Sequence, residues 1–297
     1  PMTPLATTPV RRAAAALAAV AVAALAAAGA ALAEDAPGTS TAAATVPAQA
    51  GPGHIAFVRF DKGGPDIWTV NPDGSGIKQV TTTHTASQPA WSPDGTRIAF
   101  LGPGGIWEMA ADGSGARLAV AATDISSASR PAWSPDGKRV AFAGKAAVYV
   151  APLDGSAAPA KIATGTDPAW SPDGTTIAYV DSQNGAKARV WLVGADGSGA
   201  HGIGRLGMFP AHLSWKLGDY IAFTGTVKKQ HWIYVVSIDG KAMSALAYGP
   251  TGGALSPVED RSFTMSSPTK DGKGFLSTVR GQRVTPIGPG LQPDWGR

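Results

Sequence analysis

From His54 onward the apolar residues fall into short runs separated by turn formers, and the runs repeat. Ile55-Ala56-Phe57 returns as Ile98-Ala99-Phe100, Val140-Ala141-Phe142, Ile177-Ala178-Tyr179, Ile221-Ala222-Phe223 and, more weakly, Phe263-Thr264-Met265, at steps of 37 to 44 residues. Each run is followed by a second apolar strand, spelled DIWTV, GIWEM, AVYVA, RVWLV, WIYVV and GFLSTV in turn. A tight turn comes next, built on Asp73-Gly74, Asp112-Gly113, Asp154-Gly155, Asp196-Gly197, Asp239-Gly240 and, without the aspartate, Gly281. A third short strand then leads to a Pro-x-Trp strand that opens the following unit. Four strands in a unit of about 42 residues predict the blades of a propeller.

The Pro-x-Trp strand ends in a motif whose spelling follows from backbone geometry. Trp-Ser-Pro-Asp-Gly occurs at 91–95, 133–137 and 170–174. Proline presets the φ angle of a turn, the aspartates Asp94, Asp136 and Asp173 can bond nearby backbone, and glycine accepts a positive φ. The tryptophans Trp91, Trp133, Trp170, Trp215 and Trp295 are large flat side chains placed to fill the space between neighbouring blades. Both sets carry structure rather than chemistry.

The ends of the repeat region are complementary. It opens with HIAFVRF, a second strand with no first strand before it, and closes with LQPDWGR, a first strand with no second strand after it. Pairing the two completes one blade and protects the terminal strand edges. The expected architecture is all-β: a six-bladed β-propeller of four-stranded antiparallel blades, closed by pairing of the N- and C-terminal strands, over residues 54–297.

Ahead of it the pattern differs. Arg11 and Arg12 precede an uncharged, alanine-rich run from Ala13 to Ala33 that ends Ala31-Leu32-Ala33. A basic start, an apolar core and a small-x-small end predict a secretory signal peptide over 1–33, with a retained membrane anchor as the competing reading. Residues 34–53 are small and Pro-rich, with Val46 their one larger apolar side chain, and are expected to be a disordered linker. These features predict an exported chain, periplasmic or secreted and associated with the cell envelope. The formal charge is +4, two of it from Arg11 and Arg12, too little for a nucleic-acid footprint. With no cysteine, neither disulfides nor thiolate metal sites are available.

The repeated PAWSPDG followed by an IAF-type strand, an IW-type strand and DGSG resembles the WD-like repeats of the TolB-type six-bladed β-propellers, over residues 54 to 297. The fifth unit departs from the pattern, with LSWKLGDYIAF at 213–223 lacking the Ser-Pro turn. The sixth has LSPVEDRSFTM, with leucine for tryptophan. The resemblance is expected to cover the propeller and not the separate α/β domain that precedes it in that family. Similar repeats also precede α/β-hydrolase domains and occur in polysaccharide lyases, so fold alone does not choose among functions.

Catalytic motifs are sparse. No Gly-x-Ser-x-Gly elbow occurs, and each Asp-Gly-Ser-Gly supplies one carboxylate where a calcium loop needs several oxygen ligands, which favours a hairpin turn. The histidines His54, His84, His201, His212 and His231 show no ligand spacing. Neither a cofactor nor a metal is expected, and no catalytic residue is assigned.

Blade geometry sorts the charges. The first-to-second and third-to-fourth turns, rich in aspartate, face one side. The second-to-third loops and blade connections, with Lys62, Lys145, Lys187, Arg189, Lys228, Lys229, Lys270 and Lys273, face the other. On that second face Gln88, Arg130, Asp167, Phe209 and Gln292, with His212 nearby, are expected to ring the mouth of the central channel. A mixed polar ring suits a peptide segment or a glycan. The function expected is a non-enzymatic, monomeric binding or scaffold module for an envelope or extracellular protein. A carbohydrate-active enzyme, lyase or hydrolase, using the same mouth is the alternative.

Overall fold

The computed structural model describes residues 54–127, 129–145, 147–181, 188–227, 230–249, 255–257, 262–267, 275–280, 283–289 and 291–295. The expected signal peptide at 1–33 and linker at 34–53 lie outside the described residues.

The strands are antiparallel and short. In chain order they are β1 (Ile55–Asp61), β2 (Gly64–Val70) and β3 (Lys78–Gln79); β4 (Ser87–Trp91), β5 (Arg97–Gly102), β6 (Gly105–Ala110) and β7 (Arg117–Ala121); β8 (Ala132–Trp133), β9 (Arg139–Ala143), β10 (Val148–Pro152) and β11 (Ala160–Ala163). There follow β12 (Thr166–Trp170), β13 (Thr176–Asp181), β14 (Arg189–Gly194) and β15 (His201–Ile203); then β16 (Ala211–Leu217), β17 (Tyr220–Val227), β18 (Gln230–Ser237) and β19 (Met243–Gly249). The last are β20 (Leu255–Pro257), β21 (Ser262–Ser267), β22 (Phe275–Arg280), β23 (Arg283–Pro289) and β24 (Leu291–Trp295). Each group of four consecutive strands from β4 to β23 forms one sheet in sequence order, and β24 joins β1, β2 and β3 as the innermost strand of another.

The fold is a β-propeller of four-stranded antiparallel blades. Innermost strands touch in ring order, β24 to β4, β4 to β8, β8 to β12, β12 to β16, β16 to β20 and β20 back to β24. The terminal pairing read from the sequence is present, with Ile55 opposite Trp295, Ala56 opposite Asp294 and Val58 opposite Leu291. Blades with described side-chain packing number five, against the six that the repeat count predicts. The sheet β20–β23, from the unit with Leu255 in place of the tryptophan, is described in backbone only.

The Trp-Ser-Pro-Asp-Gly motif folds as its chemistry dictates. Gly95 N–H bonds the Ser92 carbonyl at 2.9 Å and Gly95 takes a φ of 70°. The Asp94 carboxylate accepts from the Ser92 hydroxyl and from the Thr96 amide, at 2.6 and 3.0 Å, and the Ser92 hydroxyl accepts from the Arg97 amide at 2.9 Å. The turns at Ser134 and Ser171 repeat this wiring. The fifth unit uses a shorter solution, a hairpin closed at Leu217 opposite Tyr220 with Gly218 at a φ of 60°.

The core lies between blades. One cluster joins Ile67 and Ala86 to Trp91, Ile98 and Phe100; the next joins Ile106 and Val120 to Trp133, Val140 and Phe142. Two more follow, Val148 with Trp170 and Ile177, then Leu192 with Trp215, Ile221 and Phe223. Trp91, Trp133, Trp170 and Trp215 lie in these clusters, each nearly buried. Trp295 is placed in β24 by its backbone. Burial on both faces of β1, β5, β9, β13 and β17 explains why these strands read as continuous apolar runs rather than as alternation.

Candidate binding site at the channel mouth

The innermost strands are irregular at their mouth-side ends. Pairing of β4 with β5 slips between Ser87 and Ala90, that of β12 with β13 between Thr166 and Ala169, and that of β16 with β17 between Ala211 and Ser214. Bulges of this kind re-aim a side chain. In each, one non-glycine residue adopts a left-handed backbone: Gln88 (φ 53°), Asp167 (φ 56°) and His212 (φ 53°). Phe209 and His84 are the other non-glycine residues of positive φ among the described residues, and both lie in connections on the same face. Such conformations cost about 1–2 kcal/mol for an L residue, and glycine would relieve them.

These positions set His212 and Phe209 apart. His212, three residues before Trp215, is the ring counterpart of Gln88 and Asp167. Phe209 stands outside that register, in the connection from β15 to β16, where it is 52% exposed. The Phe-Pro-Ala spelling imitates the Pro-x-Trp approach without being in phase with the tryptophan.

Several of these residues bond to neighbouring segments. The Gln88 amide donates to the Ser127 carbonyl at 3.1 Å. Arg130 donates to Asp294 at 3.1 Å, and the other oxygen of Asp294 accepts the backbone N–H of Trp91 at 2.7 Å. Asp294 is nearly buried and occupies the place held by Ala90, Ala132 and Ala169 in β4, β8 and β12 and by Ser214 in β16. One carboxylate therefore links the closing strand to the next blade and to the one beyond. Asp167 accepts the backbone N–H of His212, tying β12 to β16. Gln292 is placed in β24 by its backbone, beside this network.

His212 is a titratable group shifted by its surroundings. Burial holds its pKa below the ordinary 6.5; the negative charge of Asp167 acts in the opposite direction and Arg130 adds to the lowering. Its Nδ1 lies 3.0 Å from the Thr224 hydroxyl.

Asp66 went unread in the sequence. It is fully buried at the start of β2 and accepts from the Thr81 hydroxyl at 2.9 Å, the His84 amide at 3.1 Å and His84 Nδ1 at 2.9 Å. The signal was present as a departure from the repeat, since Gly105, Ala147 and Arg189 stand at the matching place.

The two-faced charge pattern has a local origin on its acidic side. Asp73, Asp94, Asp112, Asp136, Asp154, Asp173, Asp196 and Asp239 all accept bonds within their own turns. On the other side Lys145 pairs with Asp124 at 2.9 Å and Arg189 stacks on Trp191, while Lys187, Lys228, Lys229, Lys270 and Lys273 lie outside the described residues. Among the described residues no three His, Asp or Glu side chains converge as a metal site would require, and no helix is long and apolar enough to cross a membrane.

The fold is a β-propeller whose inner strands carry polar residues of positive φ at one end. TolB from Acinetobacter baumannii superimposes with a TM-score of 0.70 at 18% identity, covering 82% of this chain and 66% of that one. A TolB-type protein from Agrobacterium tumefaciens gives 0.61 at 18% identity, over 81% and 91%. Oligogalacturonate lyase in complex with manganese gives 0.56 at 12% identity, over 80% and 74%. At these identities the likeness is one of fold. Among curated proteins, dipeptidyl-peptidase 5 of Porphyromonas gingivalis is 49% identical over 45 residues, which is 15% of this chain and 7% of the length of that protein. No family model matches the chain.

Proposed function

We propose that this chain is an exported, monomeric six-bladed propeller that acts as a binding or scaffold module for an envelope or extracellular protein, using the mouth residues Gln88, Arg130, Asp167, Phe209, His212 and Gln292. The proposal includes a signal peptide over 1–33 and a linker over 34–53. The ring count rests on the backbone of β20–β23, seated between β16 and β24.

One observation carries the functional reading. Gln88, Asp167 and His212, at matching places in three inner strands, and Phe209 in the connection before β16 keep side chains at backbone positions where glycine would be less strained. The likeness to TolB structures supports the scaffold class; the lyase likeness, at 12% identity, does not favour an enzyme over it.

The test is capture of a partner from the envelope and secreted fraction of the source cells by the chain from residue 34 onward. Phe209→Ser is the control of choice, because Phe209 is exposed and its loss leaves the blade packing intact. Arg130→Ala is a poorer control, since it strips a donor from the buried Asp294. A protein recovered by the parent and lost by the variant supports the reading. Equal recovery by both, or none by either, overturns it.

A further inference from the structure

Most polar groups at the mouth are committed between blades, and what is left over collects in one corner. Asp167 gives one oxygen to the His212 amide, and its second oxygen has no partner among the described residues. His212 Nδ1 meets the Thr224 hydroxyl, whose own proton goes to the Ala211 carbonyl at 2.9 Å. With that hydroxyl already donating, the imidazole donates through Nδ1, and the neutral ring carries its lone pair on Nε2. The corner therefore presents two acceptors. Beside them the connection between β15 and β16 is anchored by buried Met208 and Pro210 and holds Leu206 and Phe209 outward, 55% and 52% exposed. Arg130 is offset by Asp294, so Asp167 supplies the unbalanced charge of this group.

We propose that the corner formed by Asp167, His212, Phe209 and Leu206 is a subsite for a cationic side chain, a guanidinium or ammonium, of a partner polypeptide. It rests on the binding-module reading and names the chemistry that the partner brings. A guanidinium has donors and no acceptor, which matches a carboxylate oxygen and an imidazole lone pair, and its face and stem pack on an aromatic ring. An anion would meet two lone pairs and one negative charge. The groups acting on His212 are Asp167 from β12, Arg130 from the segment before β8 and Thr224 from β17. A second proton on the ring turns Nε2 from acceptor to donor and sets a positive charge against the cation, so occupancy falls as the ring titrates.

The probe is a fluorescein-labelled peptide, acetyl-Gly-Leu-Arg-Leu-Gly-amide, titrated against the full chain by anisotropy, with norleucine for arginine as the comparison. The arginine peptide is expected to bind about tenfold more tightly, a difference of about 1.4 kcal/mol. That advantage is expected to shrink in Asp167→Asn, in Phe209→Ser and as pH is lowered from 7.5 until the imidazole is protonated, and to persist in Asp124→Asn, which alters an exposed carboxylate elsewhere on the face. Asp167→Asn keeps an acceptor for the His212 amide, and the Phe209 change touches no buried group, so loss in both cannot be ascribed to unfolding. Equal binding of the two peptides, or an advantage surviving both variants, overturns the subsite. If the peptides bind alike while Phe209→Ser still loses a captured envelope protein, the subsite fails and the binding module stands.

Discussion

At the residue scale, the eight turn aspartates and His212 share one direction of response to acid. Hydrogen bonds from Ser75, Ser114, Ser156, Ser171, Ser198 and Ser237 lower the carboxyl pKa of Asp73, Asp112, Asp154, Asp173, Asp196 and Asp239 from 3.8. At Asp94 and Asp136 burial acts upward and is outweighed by the donors of the turn and the nearby arginine, so these too lie below 3.8. A carboxyl with a depressed folded pKa binds its proton more readily when unfolded, so its stabilisation is complete above the unfolded value and is lost as pH falls through the folded one. His212, depressed below 6.5, has the same sign in a higher window. The melting temperature should therefore decline in two stages, first below pH 6.5 and again below 3.8. His212→Gln should remove the first stage and leave the second, and a titration by circular dichroism reads both. A single decline unaltered by the variant would contradict this account of the histidine.

At the element scale, the hairpins were legible because their chemistry is local, and the contacts between blades were not. Ser-Pro-Asp-Gly announces its turn within a few residues. By contrast, Arg97, two residues after that glycine, stacks at 4.7 Å on Trp133 of the next blade and donates to the Gly137 carbonyl, and Arg139 stacks likewise on Trp170. Nothing in the linear spacing names those partners, and Thr176 in the third copy hides the rule. Trp133→Ala should cost about 3–5 kcal/mol, since it empties the space between two blades and deletes the bond from its indole to the Ala90 carbonyl; urea unfolding measures it. Paired glycines test the same interblade contact from the turn side. Gly74 and Gly113 hold matching turns at φ 87° and 93°, but a Cβ at Gly74 meets open space whereas one at Gly113 would lie 2.5 Å from the Val80 carbonyl oxygen of the neighbouring blade. Gly74→Ala should cost about 1–2 kcal/mol of backbone strain, and Gly113→Ala distinctly more; equal losses would mean that the blades yield freely there.

At the scale of the whole molecule, the sequence foretold the closing strand from the match of Gln292-Pro293-Asp294-Trp295 to Gln88-Pro89-Ala90-Trp91. It did not foretell that Asp294, at the alanine position, would hold Trp91 and Arg130 as well, because those partners stand 203 and 164 residues away. The candidate site was legible only in part for the same reason: Gln88 and Asp167 are marked by the proline after them, His212 is displaced from that mark, and the bond of Arg130 depends on a residue at the far end of the chain. Asp294→Ala should lower the unfolding midpoint and broaden the transition, as the ring loses cooperativity at its seam, while Asp294→Asn should retain part of the stability through the Trp91 bond. The seam also has a direction. Ile55, where β1 begins, lies opposite Trp295, where β24 finishes, so traction applied at these two residues pulls the paired strands apart from one end and breaks their bonds in succession instead of loading them together. A propeller held between two anchors by its own ends would open like a zip at low force, whereas the same molecule gripped across a blade would resist, which makes the point of attachment a mechanical property of this fold.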